Sequence, residues 1–252
     1  MYSDAKNHAL YQIANAPMRP FPYPHFYVTE VFPAEFYAAM LANLPAAESY
    51  RSLAETGRVP SGAYKERSVF FFEEEQLGAI ARERATFWLE LAQWLLGPEF
   101  INLLAAKFDS CIQQRFAGHS GNVRLKPEAF LVKDRSGYSI GPHSDAPHRL
   151  LSLLFYLPRD ERWRRFGTSL FLPKDRSFTC EGGRHHGFER FDRIATMAYV
   201  PNTLFGFVKT DNSFHGVEPV DAEGIERDLL LYDIRLEGEI TKAATPDAAR
   251  AA

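Results

Sequence analysis

The chain places a histidine and an aspartate two residues apart, His143-Ser144-Asp145, and a further histidine within Ser213-Phe214-His215-Gly216-Val217. On an extended segment successive side chains alternate between faces, so His143 and Asp145 point the same way and can approach one ion. His215 is the best candidate for a third donor. Two imidazoles and one carboxylate on one face of an octahedron leave three positions open, which suits Fe(II) and its chemistry with O₂. A structural zinc site would be closed by four protein ligands instead. The plainer reading stands beside this one. With eight histidines in the chain, a His-x-Asp spacing arises readily by chance, and a single histidine such as His215 is more often packed or solvated.

Order and context favour the metal reading. His143 follows Gly141-Pro142, and the apolar run LLSLLFYLP begins seven residues after it. His215 closes another apolar run, and Arg227 opens the last one, RDLLLYDIRL. Inside a closed barrel the Arg227 guanidinium would need an anionic partner. A dicarboxylate cosubstrate chelating the iron through one end would present its other carboxylate there, for two parallel charge-assisted hydrogen bonds. On the other reading Arg227 points outward as an ordinary edge charge.

The elements that must position these residues divide the chain into two textures. From Pro33 to about Phe116 the pattern is mostly helical, with stripes predicting helices from Pro33, over 77–96 and over 98–116. Residues 52–67 read as a long surface loop, and 25–32 has strand composition. Beyond residue 125 short apolar runs predict strands at 129–133, 138–141, 150–157, 169–172, 196–200, 204–208, 216–220 and 228–236, with a turn at 134–137. The expected fold is mainly β within an α+β class: a double-stranded β-helix (jelly-roll) core with N-terminal helices packed against it. It is read as one domain over 1–252, with 1–125 as helical support, 126–237 as core and 238–252 as a flexible tail.

Bulk composition removes several classes of function. The chain has 252 residues and a net charge of −3, with no basic stripe of the kind that nucleic acid requires. No apolar run approaches the ~20 residues needed to span a bilayer. Two cysteines, Cys111 and Cys180, suggest reduced thiols, and no leader is visible at the N-terminus. Together these point to a cytoplasmic protein without a nucleic-acid or membrane partner.

The motifs YSIGPHSD, LLSLLFYLP, GTSLFLP, PNTLFGF, FHGVEPV and RDLLLYDIRL, in that order over 127–236, resemble the 2-oxoglutarate/Fe(II)-dependent oxygenases, particularly their prolyl-hydroxylase-like branch. The resemblance implies a double-stranded β-helix in which His143, Asp145 and His215 bind Fe(II) and Arg227 binds the distal carboxylate of 2-oxoglutarate. It implies that the Tyr156 phenol bonds the same carboxylate and that Tyr138 lines the pocket. The implied reaction consumes O₂ and 2-oxoglutarate, releases succinate and CO₂, and hydroxylates an unactivated C–H bond of a small molecule or a peptidyl side chain. Asp145 argues against the halogenase variant, which has a small residue there. The chain departs from the family pattern at Gly167-Thr168-Ser169, Asn202 and Lys133, where paired glycines, a glycine and a tyrosine are usual.

Other residues invite weaker readings. The Gly-rich loop 180–187 suits a lid, while His185 and His186 as a second metal site are outweighed by a surface reading. Arg149, Lys209 and Asn212 lie where a polar substrate could be read, and His148 is a weak fourth-ligand candidate. Phe70, Phe71, Phe72, Phe205, Phe207 and Phe214 look like core. Two alternatives remain open: a cupin-like metalloenzyme independent of 2-oxoglutarate, and a catalytically inactive β-barrel binding module.

Overall fold

The computed structural model describes residues 3–60, 62–121, 123–238 and 240–242. The first half contains α1 (Ser3–Asn15), β1 (His25–Thr29), α2 (Ala34–Ala42), β2 (Arg51–Ser52), β3 (Arg67–Phe71), α3 (Glu74–Gly78), α4 (Arg82–Leu95), α5 (Pro98–Lys107) and α6 (Asp109–Arg115). Strands follow: β4 (His119–Gly121), β5 (Arg124–Arg135), β6 (Ile140–His143), β7 (Arg149–Tyr156), β8 (Thr168–Pro173), β9 (Phe191–Met197), β10 (Thr203–Val208), β11 (His215–Val217), β12 (Glu226–Glu237) and β13 (Ile240–Lys242). The result is a mainly β, α+β architecture with two antiparallel sheets that share a core. The larger has the order β1-β10-β7-β12-β5-β3-β2 and the smaller β6-β11-β8-β9, while β4 pairs separately with β13.

Strand alternation gives the large sheet two unlike faces. One face carries Phe26, Leu151, Leu153, Phe155, Leu230, Tyr232 and Ile234 against the helices. Helix α4 answers with Phe87, Trp88, Leu91 and Leu95, a stripe at helical period. The Trp88 indole N–H donates to the Asn43 carbonyl (2.7 Å) and fixes α4 against the end of α2. The other face, with Val69, Phe130, Val132, Tyr156, Phe205, Phe207 and Leu229, meets Leu170 and Met197 of the small sheet.

Several expectations are corrected. Helix α1 was not foreseen; it buries a weak stripe of mostly small residues, Ala5, Ala9 and Ile13. The helices expected over 77–96 and 98–116 are each divided, the second where α5 ends at Lys107 and α6 begins at Asp109. The strand expected over 196–200 runs over Phe191–Met197 instead. The loop expected over 52–67 ends in β3, whose Phe70 and Phe71 are buried. Of the expected tail, 240–242 form β13, and 243–252 lie outside the described residues. Asn202 sits at φ 55°, a conformation asparagine tolerates, and its side chain clasps both the N–H and the carbonyl of Phe32 (3.0 and 2.7 Å). A glycine would reach that backbone shape but lose the clasp.

The two faces predict different tolerances. Leu153→Ala, on the fully buried helix side, is expected to cost about 2–5 kcal/mol in urea unfolding. Leu154→Ala, half-buried on the other side, should cost clearly less, and equal losses would contradict this assignment of faces.

Candidate active site

His143 ends β6 and His215 begins β11, and the two residues are paired in register across that ladder. Asp145 follows β6 by two residues. One donor atom from each of the three lies within 4.8 Å of the others, and all three residues are buried. The Asp145 Oδ1 stands 3.9 Å from His143 Nε2 and 3.8 Å from His215 Nε2.

The surrounding bonds aim these atoms. His143 Nδ1 lies 3.0 Å from the Gly141 carbonyl and His215 Nδ1 2.9 Å from the Ser213 carbonyl. A carbonyl only accepts, so both Nδ1 atoms carry the proton and both Nε2 lone pairs are free for a metal. Ser152 donates to Asp145 Oδ2 (2.7 Å), and Oδ1, which also takes a long bond from Arg149 (3.4 Å), faces the imidazoles. Burial, followed by the neighbouring His215, holds the His143 pKa well below its usual value; burial also lowers His215. Burial alone would raise the Asp145 carboxyl, but Arg149 and the two imidazoles hold it well below the usual carboxylate range. Among the described residues no other group of three such donors can hold a metal.

The triad opens on a cavity of about 960 Å³ between the sheets. Arg227 lines it and is fully buried, so the outward reading of that arginine is excluded. Its Nε donates to the Phe166 carbonyl (2.7 Å) and its Nη1 to Asp134 (2.6 Å). Asp134 in turn takes two bonds from Arg67 (2.6 and 2.8 Å), whose guanidinium lies over the Tyr138 ring at 4.2 Å. Arg67, Asp134 and Arg227 are direct cross-strand neighbours on β3, β5 and β12. Two guanidiniums against one carboxylate leave this end of the cavity with a surplus positive charge. Arg227 Nη2, Thr168 Oγ1 and the Tyr138 hydroxyl have no hydrogen-bond partner there. The Tyr156 hydroxyl accepts from the Thr168 N–H (3.1 Å) and keeps its own proton to donate.

Other expected residues fall in different places. Arg149 and His148 line the cavity, as does His185, whose ring lies edge-on to His143 at 4.6 Å and whose Nδ1 is bonded to the Tyr64 hydroxyl. Loop 180–187 is strapped to the metal-side strand by Gly183 N–H to Ser144 carbonyl and His186 N–H to Pro142 carbonyl (both 2.9 Å). A Cβ on Gly182, at φ 126°, would collide with the Asp145 carbonyl. His186 packs among Phe178, Phe191 and Phe214 instead of joining His185. Lys209 is buried in an ion pair with Asp211 (2.6 Å), and neither Lys209 nor Asn212 lines the cavity. Phe207 does line it, 4.5 Å from the His215 ring, whereas Phe214 belongs to a separate cluster.

Sequence reasoning missed Asp134, Arg67, Ser152 and Thr168. Asp134 was assigned to a turn and Arg67 to a loop. Ser152 had a signal, as the one polar residue on the inward phase of LLSLLFYLP. Thr168 stands within one of the departures from the family pattern, and it lines the cavity. Lys133, the other departure, points to the opposite face from Val132 and Asp134, where it pairs with Glu226 and Asp228 (2.9 and 2.8 Å).

The chain's architecture also occurs in solved structures. It aligns with the non-haem α-ketoglutarate-dependent epimerase SnoN from nogalamycin biosynthesis at a TM-score of 0.50 and 16% identity, covering 96% of this chain and 85% of that one. The chain shares its fold with that epimerase. A Pseudomonas putida prolyl-4-hydroxylase aligns at a TM-score of 0.45 and 15% identity over 91% and 98% of the two chains. A prolyl 4-hydroxylase from Phytophthora capsici aligns at 0.48 and 15% over 93% and 65%. Neither a family model nor a curated protein matches the chain by sequence.

Two outcomes follow. Asp134→Asn removes the carboxylate that two buried guanidiniums share, and should cost about 3–5 kcal/mol in urea unfolding; a loss under about 1 kcal/mol would show the charge row to be dispensable. The second concerns pH. A metal ligand must be a neutral imidazole, and both folded-state histidine pKa values lie below 6.5. Mn(II) affinity measured by calorimetry should therefore stay flat from pH 8 to about 6.5 and fall only below that. The metal-free protein should also lose stability as pH falls below 6.5, because the unfolded histidines then take up protons that the folded ones refuse. Metal affinity already declining at pH 7.5 would contradict the lowered values.

Proposed function

We propose that the chain is a 2-oxoglutarate- and Fe(II)-dependent dioxygenase that hydroxylates an unactivated C–H bond of a small molecule or side chain. The observation that carries this reading is the meeting, in one cavity, of the His143–Asp145–His215 donor set with a buried cradle of cationic and hydroxyl groups around Arg227. A buried guanidinium nitrogen, a threonine hydroxyl and a tyrosine hydroxyl without partners are costly unless a ligand bonds them. The surplus positive charge fixes the sign of that ligand. A dicarboxylate that reaches from the metal to Arg227 satisfies both requirements, and the two sheets then serve as the halves of a double-stranded β-helix.

Fe(II) and 2-oxoglutarate, when bound, supply O₂ reduction coupled to decarboxylation, one oxygen atom entering succinate and the other the substrate. The chain's own residues prepare for this. His143 and His215 present Nε2 because Gly141 and Ser213 hold Nδ1–H, and Asp145 presents Oδ1 because Ser152 holds Oδ2. Arg227 is oriented by Asp134 and Phe166, so its free Nη2 is fixed before a carboxylate arrives. The Tyr156 hydroxyl, held by the Thr168 N–H, would offer its proton to the same carboxylate. Apolar side chains such as Val69, Val132, Ile140 and Phe207 line the cavity and limit water near the reacting atoms.

Iron-loaded protein given 2-oxoglutarate and O₂ should form succinate, since slow uncoupled turnover does not require the substrate. His143→Ala should lower the rate by at least about 100-fold. Arg227→Ala should raise the KM for 2-oxoglutarate by about 10-fold or more, as loss of a bidentate charge pair does. Absence of succinate, together with absence of 2-oxoglutarate binding, would overturn the reading in favour of a cupin-like metalloenzyme independent of 2-oxoglutarate.

A further inference from the structure

The cavity has a second charged end that the cosubstrate does not reach. Along β12 the inward row is Arg227, Leu229, Leu231, Asp233 and Arg235. Asp233 is in register with Ser152, whose hydroxyl holds Asp145, so the triad sits at that level. Arg235 lies one inward step beyond, opposite Arg149, and Arg227 three inward steps the other way. Strand order thus sets Arg235 and Arg227 on opposite sides of that level.

Four guanidiniums gather at the near end. Arg149 lies 2.9 Å from Asp233 and 3.4 Å from Asp145, and Arg235 lies 2.7 Å from Glu128. Arg58 forks onto Glu128, with its guanidinium over the Phe71 ring at 4.4 Å. Arg115 stands behind, bonding only carbonyls, those of Arg149 (2.7 Å) and Pro147 (2.5 Å). With Asp145 committed to the metal, the three guanidiniums that line the cavity, Arg58, Arg149 and Arg235, face two carboxylates, Glu128 and Asp233. Burial, partly offset by Arg149, pushes Asp233 up to about 6. His148 on the same wall is lowered by burial and then by Arg235 and Arg149, as a positive field requires. The Nε atoms of Arg149 and Arg235 have no partner. Between this end and the other, the walls are Val69, Phe130, Leu154 and Leu231.

Resting on the reading of the site as a 2-oxoglutarate oxygenase, we propose that its prime substrate is a monocarboxylic acid with an apolar body. The carboxylate is received by Arg58, Arg149 and Arg235, and the apolar body runs from there past the metal to the hydrocarbon wall, which brings a C–H bond to the metal. Arg58 already forks onto the planar carboxylate of Glu128, so an organic carboxylate matches the geometry these guanidiniums offer.

The test uses the full-length chain loaded with Mn(II) and 2-oxoglutarate without O₂. Straight-chain acids from butanoate to decanoate, and 3-phenylpropanoate, are titrated by calorimetry against their primary amides. At least one acid should bind about 10-fold or more tighter than its amide, the difference that a charge-assisted pair makes. Arg235→Gln should remove most of that preference and Arg235→Lys should keep part of it, since a point charge survives without the fork. Arg58→Gln, on the rim, provides the same readout if Arg235→Gln does not fold. The proposal is overturned if no acid binds, if amides bind as well as acids, or if the preference survives both glutamine variants. Titration of 2-oxoglutarate into the Mn(II) protein separates the failures. Absence of that binding removes the oxygenase reading itself, whereas normal binding with indifference to acid and amide removes only the substrate class.

Discussion

Asp134 has no exposure to water and lies between two guanidiniums, and the interior of the protein is organised around that arrangement. A carboxylate in such a place is tolerated only with cationic partners held at bonding distance. Those partners come from separate strands, Arg67 on β3 and Arg227 on β12, so the central part of the large sheet must keep its register for the charge to be paired. The same register sets Ser152 of β7 opposite Asp233 and brings its hydroxyl to Asp145. The anion cradle and the metal-facing carboxylate are thus fixed by one ladder of strands.

Because the cavity-facing side of this sheet carries charge and hydroxyl groups, the hydrocarbon that stabilises the chain lies largely on the other side. Helices α1, α2, α4 and α5 pack there with aromatic contacts such as Phe32 on Phe155 (5.6 Å) and Phe100 on Tyr232 (5.1 Å). The division of labour follows from strand alternation: each strand of the pair β7 and β12 sends one phase of residues to the helices and the other to the cavity. Stability and chemistry therefore draw on different residues of the same strands.

The meeting of His143, Asp145 and His215 was legible in the sequence because a two-residue spacing on a strand has one geometric meaning. The inward turn of Arg227 was legible as one of two options, and burial chose between them. Asp134 was not legible, since Asp-Arg-Ser-Gly has the composition of a turn and only pairing with β3 and β12 shows that its first residue is still within a strand. Arg67 was hidden for a similar reason, at the end of a segment rich in glycine, serine and charge whose long-range partner is 67 residues away. Helix α1 escaped notice because alanines make a weak stripe, although Ala5 and Ala9 are buried. Local pattern reported what each segment could do; partners distant in the chain decided which option was taken.

The strict alternation along β12 has a bearing on how the chain can change over evolutionary time. Residues 227 to 235 serve two masters in strict succession, and deletion of a single codon within them would exchange the roles of every residue downstream. Leu230, Tyr232 and Ile234 would be offered to the cavity, and Asp233 and Arg235 to a greasy helix layer. Point substitutions in this stretch can be explored one at a time, but changes of length cannot. Lineages descended from this protein should vary the lettering of β12 while preserving its count, and shift their insertions to the segments 52–66 and 174–190 that border the mouth.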